Sequence, residues 1–145
     1  MAVTALVYGS FPAKALNKEI DWDTDVIKVA LATNAYTPAQ DTHDYFNDIT
    51  NEVVGTGYTA GGATLASKTN VYTSGTNTLA LDAADVSWTT STITARYAII
   101  YDATPGTAAT NPLIAYVDFG ADVTSTAGTF SITWDSAGIV TITVA

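Results

Sequence analysis

Short runs in which apolar and hydroxyl side chains alternate, each stopped by Gly, Pro, Asp or Ser, constrain this chain most. Four of them fill its last third, at residues 93–101, 112–120, 128–135 and 138–144. In an extended segment, residues i and i+2 share a face, and β-branched or aromatic side chains suit the pleat. The runs therefore read as strands of an antiparallel all-β domain. Phe130, Ile132 and Trp134 alternate with Thr129, Ser131, Thr133 and Asp135, the pattern of a sheet with one buried and one wet face. Val140, Ile142 and Val144 repeat it as inward residues against Thr141 and Thr143, and a hairpin turn ending at Gly138 is expected to join these last two strands. Ile93, Ala95, Tyr97, Ile99 and Tyr101 are expected on one face of their strand. The opposite set, Thr94, Arg96, Ala98, Ile100 and Asp102, is only half polar, so this strand should be covered on both sides.

Upstream, residues 3–8 and 26–33 read as further strands, the second with Ile27, Val29 and Leu31 opposed to Lys28. The stretch after Pro12 suggests a loop or one to two helical turns, with Phe11, Ala15 and Leu16 on one side. Residues 63–73 and 77–81 flank Ser74-Gly75-Thr76 as a hairpin, and 86–88 forms a short strand. Residues 34–51 and the glycine-rich 55–62 are long loops, the places where sandwich domains usually make contacts. The expected fold is a single-domain antiparallel β-sandwich over residues 1–145, jelly-roll or Ig-like, with about eight to ten strands, long loops and little helix. Trp22, Trp88 and Trp134 read as core residues.

Charge excludes several partners. The chain has 145 residues, a net charge of −9 and only five Lys and Arg together. Phosphate neutralisation needs clustered cations, so neither nucleic acid nor an anionic membrane surface is an expected partner. No apolar stretch approaches the ~20 residues of a membrane span, and the first residues lack the positive start of a signal peptide. With no cysteine, thiolate chemistry is absent. Charged residues make up 13% of the chain against roughly 25% in ordinary soluble domains. A surface of hydroxyls rather than ions is weakly guarded against association, although many threonine-rich sandwiches share that composition.

Candidate chemistry is thin. Asp21, Asp23 and Asp25 alternate like the start of an EF-hand loop, but Val26 and Ala32 stand where Gly and a bidentate Glu are needed. A looser calcium site, there or with Asp41, Asp44 or Asp48, is the remaining metal option. His43, the only histidine, lies in a polar loop without a nucleophile elbow. Glu19 and Glu52 are the only glutamates, and Gly55-Thr56-Gly57 lacks the lysine of a phosphate loop. Arg96, the single arginine, should pair with an acid, for which Asp118 on the next strand is the candidate. No catalytic or cofactor-binding residue is assigned.

Several strings resemble a family of small virion structural proteins encoded by tailed bacteriophages. They include 17–25 (NKEIDWDTD), 36–45 (YTPAQDTHDY), 55–62 (GTGYTAGG), 92–98 (TITARYA) and 112–120 (PLIAYVDFG). The resemblance implies a non-enzymatic capsid cement or decoration protein, without cofactor, that bridges and stabilises major capsid subunits at the capsid surface after assembly in the host cytoplasm. It also implies a homo-oligomer, a trimer above all. A tail or baseplate component and a carbohydrate-binding module are the alternatives. Aromatic residues dominate interface energetics, so Tyr36, Tyr45, Phe46 and Tyr58 in the two long loops are the expected anchors.

Overall fold

Strands with two apolar faces need cover on both sides, and this requirement organises the fold. The computed structural model describes residues 2–145. In chain order these form β1 (Thr4–Val7), α1 (Phe11–Leu16), β2 (Ile27–Ala32), a 3-10 turn (Phe46–Asp48), β3 (Ala63–Thr64), β4 (Thr69–Thr73), β5 (Thr78–Asp82), β6 (Val86–Asp102), β7 (Leu113–Ile132) and β8 (Val140–Thr143). They make two antiparallel sheets, ordered β1-β7-β6-β2-β3 and β4-β5-β8. The chain is an all-β sandwich with long loops and little helix.

The axis of the molecule is the β6–β7 ladder, which runs from Val86↔Ile132 to Tyr101↔Leu113. The short strand expected at 86–88 is the first part of β6, and the runs 112–120 and 128–135 fuse into β7. Register shifts between Trp88 and Ser91, Ser91 and Ile93, and Ala95 and Tyr97 absorb the extra residues without ending the pairing. The shift at Arg96 has a further effect. β6 advances from Ala95 to Tyr97 while β7 advances from Val123 back to Asp118, with Gly120 at φ +81° inside the bulge. Side-chain parity changes there. Ile93 and Ala95 share one core with Ala98 and Ile100, whereas Ile99 and Tyr101 belong to the other. The single-face set expected for β6 is therefore split in two by the bulge.

The first core lies between the two sheets. It joins Ile27, Val29 and Leu31 of β2 to Leu81 of β5, Val140 of β8 and the tryptophans Trp22 and Trp88. The second lies on the opposite face of the larger sheet, where Tyr8, Ala30, Tyr36, Ile99, Leu113 and Tyr116 cluster with Phe46 and Ile49 packed onto them. Its cover comes from loop 34–51. Tyr8 Oη and Tyr36 Oη are 3.0 Å apart and Tyr36 Oη lies 2.9 Å from His43 Nδ1, so the buried hydroxyls satisfy one another.

Other expectations are corrected. β8 pairs with β5, not with β7, because Gly138, at φ +114°, turns the chain and Ile139 N donates to Leu81 O at 2.8 Å. Val140 is buried, but Ile142 and Val144 are 42% and 53% exposed rather than inward. Leu16 projects into solvent, and Lys14 takes the buried place on α1 beside Phe11. The stretch expected as one strand at 63–73 is broken at Ser67, φ +52°, into β3, paired with β2, and β4, paired with β5. Trp134 is half-buried at the rim of the first core.

Candidate functional site

The four expected anchors are held within the chain. Tyr36 is 1% exposed and belongs to the second core, so it is corrected from contact residue to core residue. The physical reason is the doubly covered sheet: loop 34–51 contributes the apolar cover that the β2–β6–β7 face needs. Burial pushes the Tyr36 hydroxyl up to about 12. Phe46 is half-buried and stacks on Tyr101 with ring centroids 4.0 Å apart. Tyr45, also half-buried, lies beneath the Lys14 ammonium, 3.0 Å from its ring centroid, and its hydroxyl donates to Glu19 Oε2 at 3.3 Å. Tyr58 packs on Trp88; its hydroxyl donates to Glu52 Oε1 at 2.7 Å and accepts from Leu31 N at 2.9 Å. Burial raises that hydroxyl far above the ordinary tyrosine value.

The groups considered for chemistry are occupied in the same way. Asp21 Oδ1 accepts from the amides of Asp23 and Thr24, which holds its carboxyl below the ordinary range. Asp25 Oδ2 accepts from Asp21 N at 2.7 Å. Among the described residues no group of three or more His, Asp and Glu is arranged to hold a metal ion. Glu52 also accepts from Gly61 N at 2.5 Å, pinning loop 55–62 to the sheet. His43 faces Tyr36, and Glu19 faces Lys14 and Tyr45.

What the structure brings together instead is a cleft of about 820 Å³ along the side of the sandwich. One lip is β1, which pairs only with β7, and the other is β8, which pairs only with β5. Each presents one edge whose backbone amides and carbonyls have no ladder partner. The walls include Leu6, Val117, Phe119, Phe130, Trp134 and Ile139, and among the described residues Asp135 is the one charged side chain in the lining. Val3 and Leu6 on the β1 lip are 63% and 44% exposed, and Val123 on the wall is 43% exposed. An open apolar surface flanked by free strand edges can take up an extended segment of another protein: main-chain bonds to an edge supply affinity, and the apolar floor receives alternate side chains.

Sequence reasoning missed this cleft because its residues are spread over β1, β7 and β8 and read as ordinary inward strand positions. One signal was available: Val3 and Leu6 are apolar on a short strand without charge, whereas edge strands normally carry charge. Comparison with known proteins adds no relative, since no family model, no curated protein and no solved structure matches the chain.

Proposed function

We propose that the protein is a non-enzymatic structural protein of a virion shell, a capsid cement or decoration protein that grips neighbouring subunits along the β1–β8 cleft. The observation that carries this reading is the pairing of an almost uncharged apolar cleft with two open strand edges on a chain of net charge −9. Copies that each carry a net charge of −9 repel at long range, so close packing between them is favoured at surfaces without charge. The β framework supports the same reading. The larger sheet is covered on both faces, and loops 34–51 and 55–62 are tied to it by side-chain bonds.

Binding there would act additively. Each copy buries its cleft against a neighbour, and the summed burial raises the barrier to shell rupture at roughly 25 cal/mol per Å² of apolar surface removed from water. A sugar-binding module is less well supported, because a sugar needs several polar side chains around an aromatic platform and among the described residues Asp135 is the only carboxylate lining the cleft.

The test uses capsids of the encoding phage with and without the protein. Shells lacking it should rupture at lower temperature, and added wild-type protein should restore them. Val3→Asp, a substitution at a position 63% exposed on the β1 lip, should fold normally yet fail to restore them. Equal robustness of shells with and without the protein would overturn the reading, and location on tails alone would replace it with the tail alternative.

A further inference from the structure

β4 is an edge strand with none of the devices that usually guard one. Among the described residues it pairs with β5 alone, in unbroken register from Thr69↔Asp82 to Thr73↔Thr78. The amides and carbonyls along its other side therefore have no ladder partner. All five of its residues are exposed, Val71 and Tyr72 by 54% and 50%. Natural edges are blunted by charge, proline or a bulge. β4 has no charge and no proline, its register shows no bulge, and the uncharged run continues through the hairpin to Leu81.

The register sorts the side chains by face. Leu81 belongs to the first core, so Asn70 opposite it, and with it Tyr72, stands on the inner face. There Tyr72, Leu79 and Ile142 form a row across three strands. Leu79 is half-buried and Ile142 is 42% exposed, so this row runs past the cover that buries Leu81 and Val140. Thr69, Val71 and Thr73 make the outer face, a continuous row of β-branched residues.

We propose that β4 pairs antiparallel with β4 of a second copy, about a two-fold axis at Val71, and joins two three-stranded sheets into one of six strands. The edge is matched to itself. The axis sets Val71 against Val71 and Thr69 against Thr73, so the outer row meets β-branched residues at every position. Charge selects the same partner. A second copy carries −9, and it approaches most easily where this chain has no charge. Lys68 and Asp82, which flank the uncharged run, fall at the Thr69 end, opposite the uncharged Ser74-Gly75-Thr76 turn of the other copy. The contact is also closed, because a two-fold pairing uses the same edge on both copies and leaves no β4 to recruit a third. A five-residue ladder is small, which makes the dimer a weak and reversible one.

β4 and β8 are opposite edges of the small sheet, so the pairing leaves both β1–β8 clefts open. Resting on the reading of the cleft above, one dimer then carries two gripping surfaces and can span two neighbours in a shell. The dimer itself does not depend on that reading.

The experiment is sedimentation velocity of the full chain over a wide range of concentration, beside oxidative cross-linking of single-cysteine variants, since the chain has no cysteine of its own. The expected result is a reversible monomer–dimer equilibrium. Val71→Lys, at an exposed position, sets two ammonium groups against each other and should weaken dimerisation about fivefold or more. Val3→Asp alters the cleft without touching β4 and should dimerise as wild type does. Opposed strand residues have Cα atoms about 4.5–5.5 Å apart, within reach of a disulfide. Val71→Cys should therefore cross-link to a dimer much faster than Val54→Cys, whose position is 96% exposed but off the edge. A chain that stays monomeric at every concentration, a trimer, or equal cross-linking of the two cysteine variants would overturn the pairing. A dimer kept in Val71→Lys but lost in Val3→Asp would overturn it too, by moving the contact to the cleft.

Discussion

Arg96 and Asp118 face one another across the β6–β7 ladder, with Nε 2.5 Å from Oδ1 and Nη2 3.2 Å from Oδ2. They meet where side-chain parity changes, and Asp118 Oδ1 also accepts from Gly120 N at 2.8 Å inside the bulge. The pair fixes a bulge that decides which residues of β6 face which core. Its side chains are 21% and 25% exposed, so the ion pair itself contributes about 1 kcal/mol or less.

Arg96→Ala should lower stability by about 1 kcal/mol, and Asp118→Ala by about 2 kcal/mol, because only the second also removes the acceptor of the Gly120 amide. The Asp118 carboxyl is held below the usual range by Arg96. A depressed folded value contributes stability above the unfolded value, near 4, which is lost as pH falls through the folded one. Urea unfolding at neutral and strongly acid pH should therefore show the gap between wild type and Arg96→Ala narrowing in acid.

For Asp102 the sign is reversed. A folded value raised to about 6 favours folding below the unfolded value, near 4, and that contribution is lost as pH rises through 6. Asp102→Asn should match wild type near pH 4 and exceed it by about 2 kcal/mol near pH 7. Denaturant midpoints at the two pH values check this.

Tyr58→Phe keeps the ring on Trp88 but strips the donor from Glu52 and the acceptor from Leu31 N. An unpaired buried amide and a deprived carboxylate should together cost about 1–3 kcal/mol. Amide exchange should show loop 55–62 opening while the β6–β7 ladder stays protected. An unchanged exchange pattern would mean that Tyr58 does not hold the loop.

Gly62 has φ +74°, and a Cβ there would collide with the Val29 carbonyl oxygen, whereas nothing lies near a Cβ on Gly75. Gly62→Ala should cost at least about 2 kcal/mol and loosen the β2–β3 pairing. Gly75→Ala, in the β4–β5 turn, should change stability by no more than about 0.5 kcal/mol. Thermal melts of the two variants make the comparison.

The strands were legible because alternation is a local signal. Ile27, Val29 and Leu31 are buried on one face as the sequence reading expects, and Arg96 meets Asp118. What alternation cannot carry is the absolute face. A bulge reverses parity without changing the local pattern, so Ile99 and Ile100 exchange cores. The partner of β8 was illegible for a related reason: the turn ending at Gly138 is compatible with return along β7 or crossing to β5, and contacts with Leu81 decide. Loop 34–51 looked like a contact loop because it is long and aromatic. Its aromatic residues answer a demand that only the assembled sheet creates, the covering of a second apolar face. The cleft was hidden most deeply, since it is formed where two strand edges distant in sequence come to lie side by side.

Hydrogen–deuterium exchange of the protein, free and mixed with the shell it is proposed to bind, tests the proposed assembly surface most directly. Binding should slow the backbone amides of β1 and β8 along the cleft and leave β3 and β4, at the far edges of the two sheets, unchanged. Protection confined to β3, β4 or loop 34–51, with β1 and β8 exchanging as in the free protein, would contradict the account.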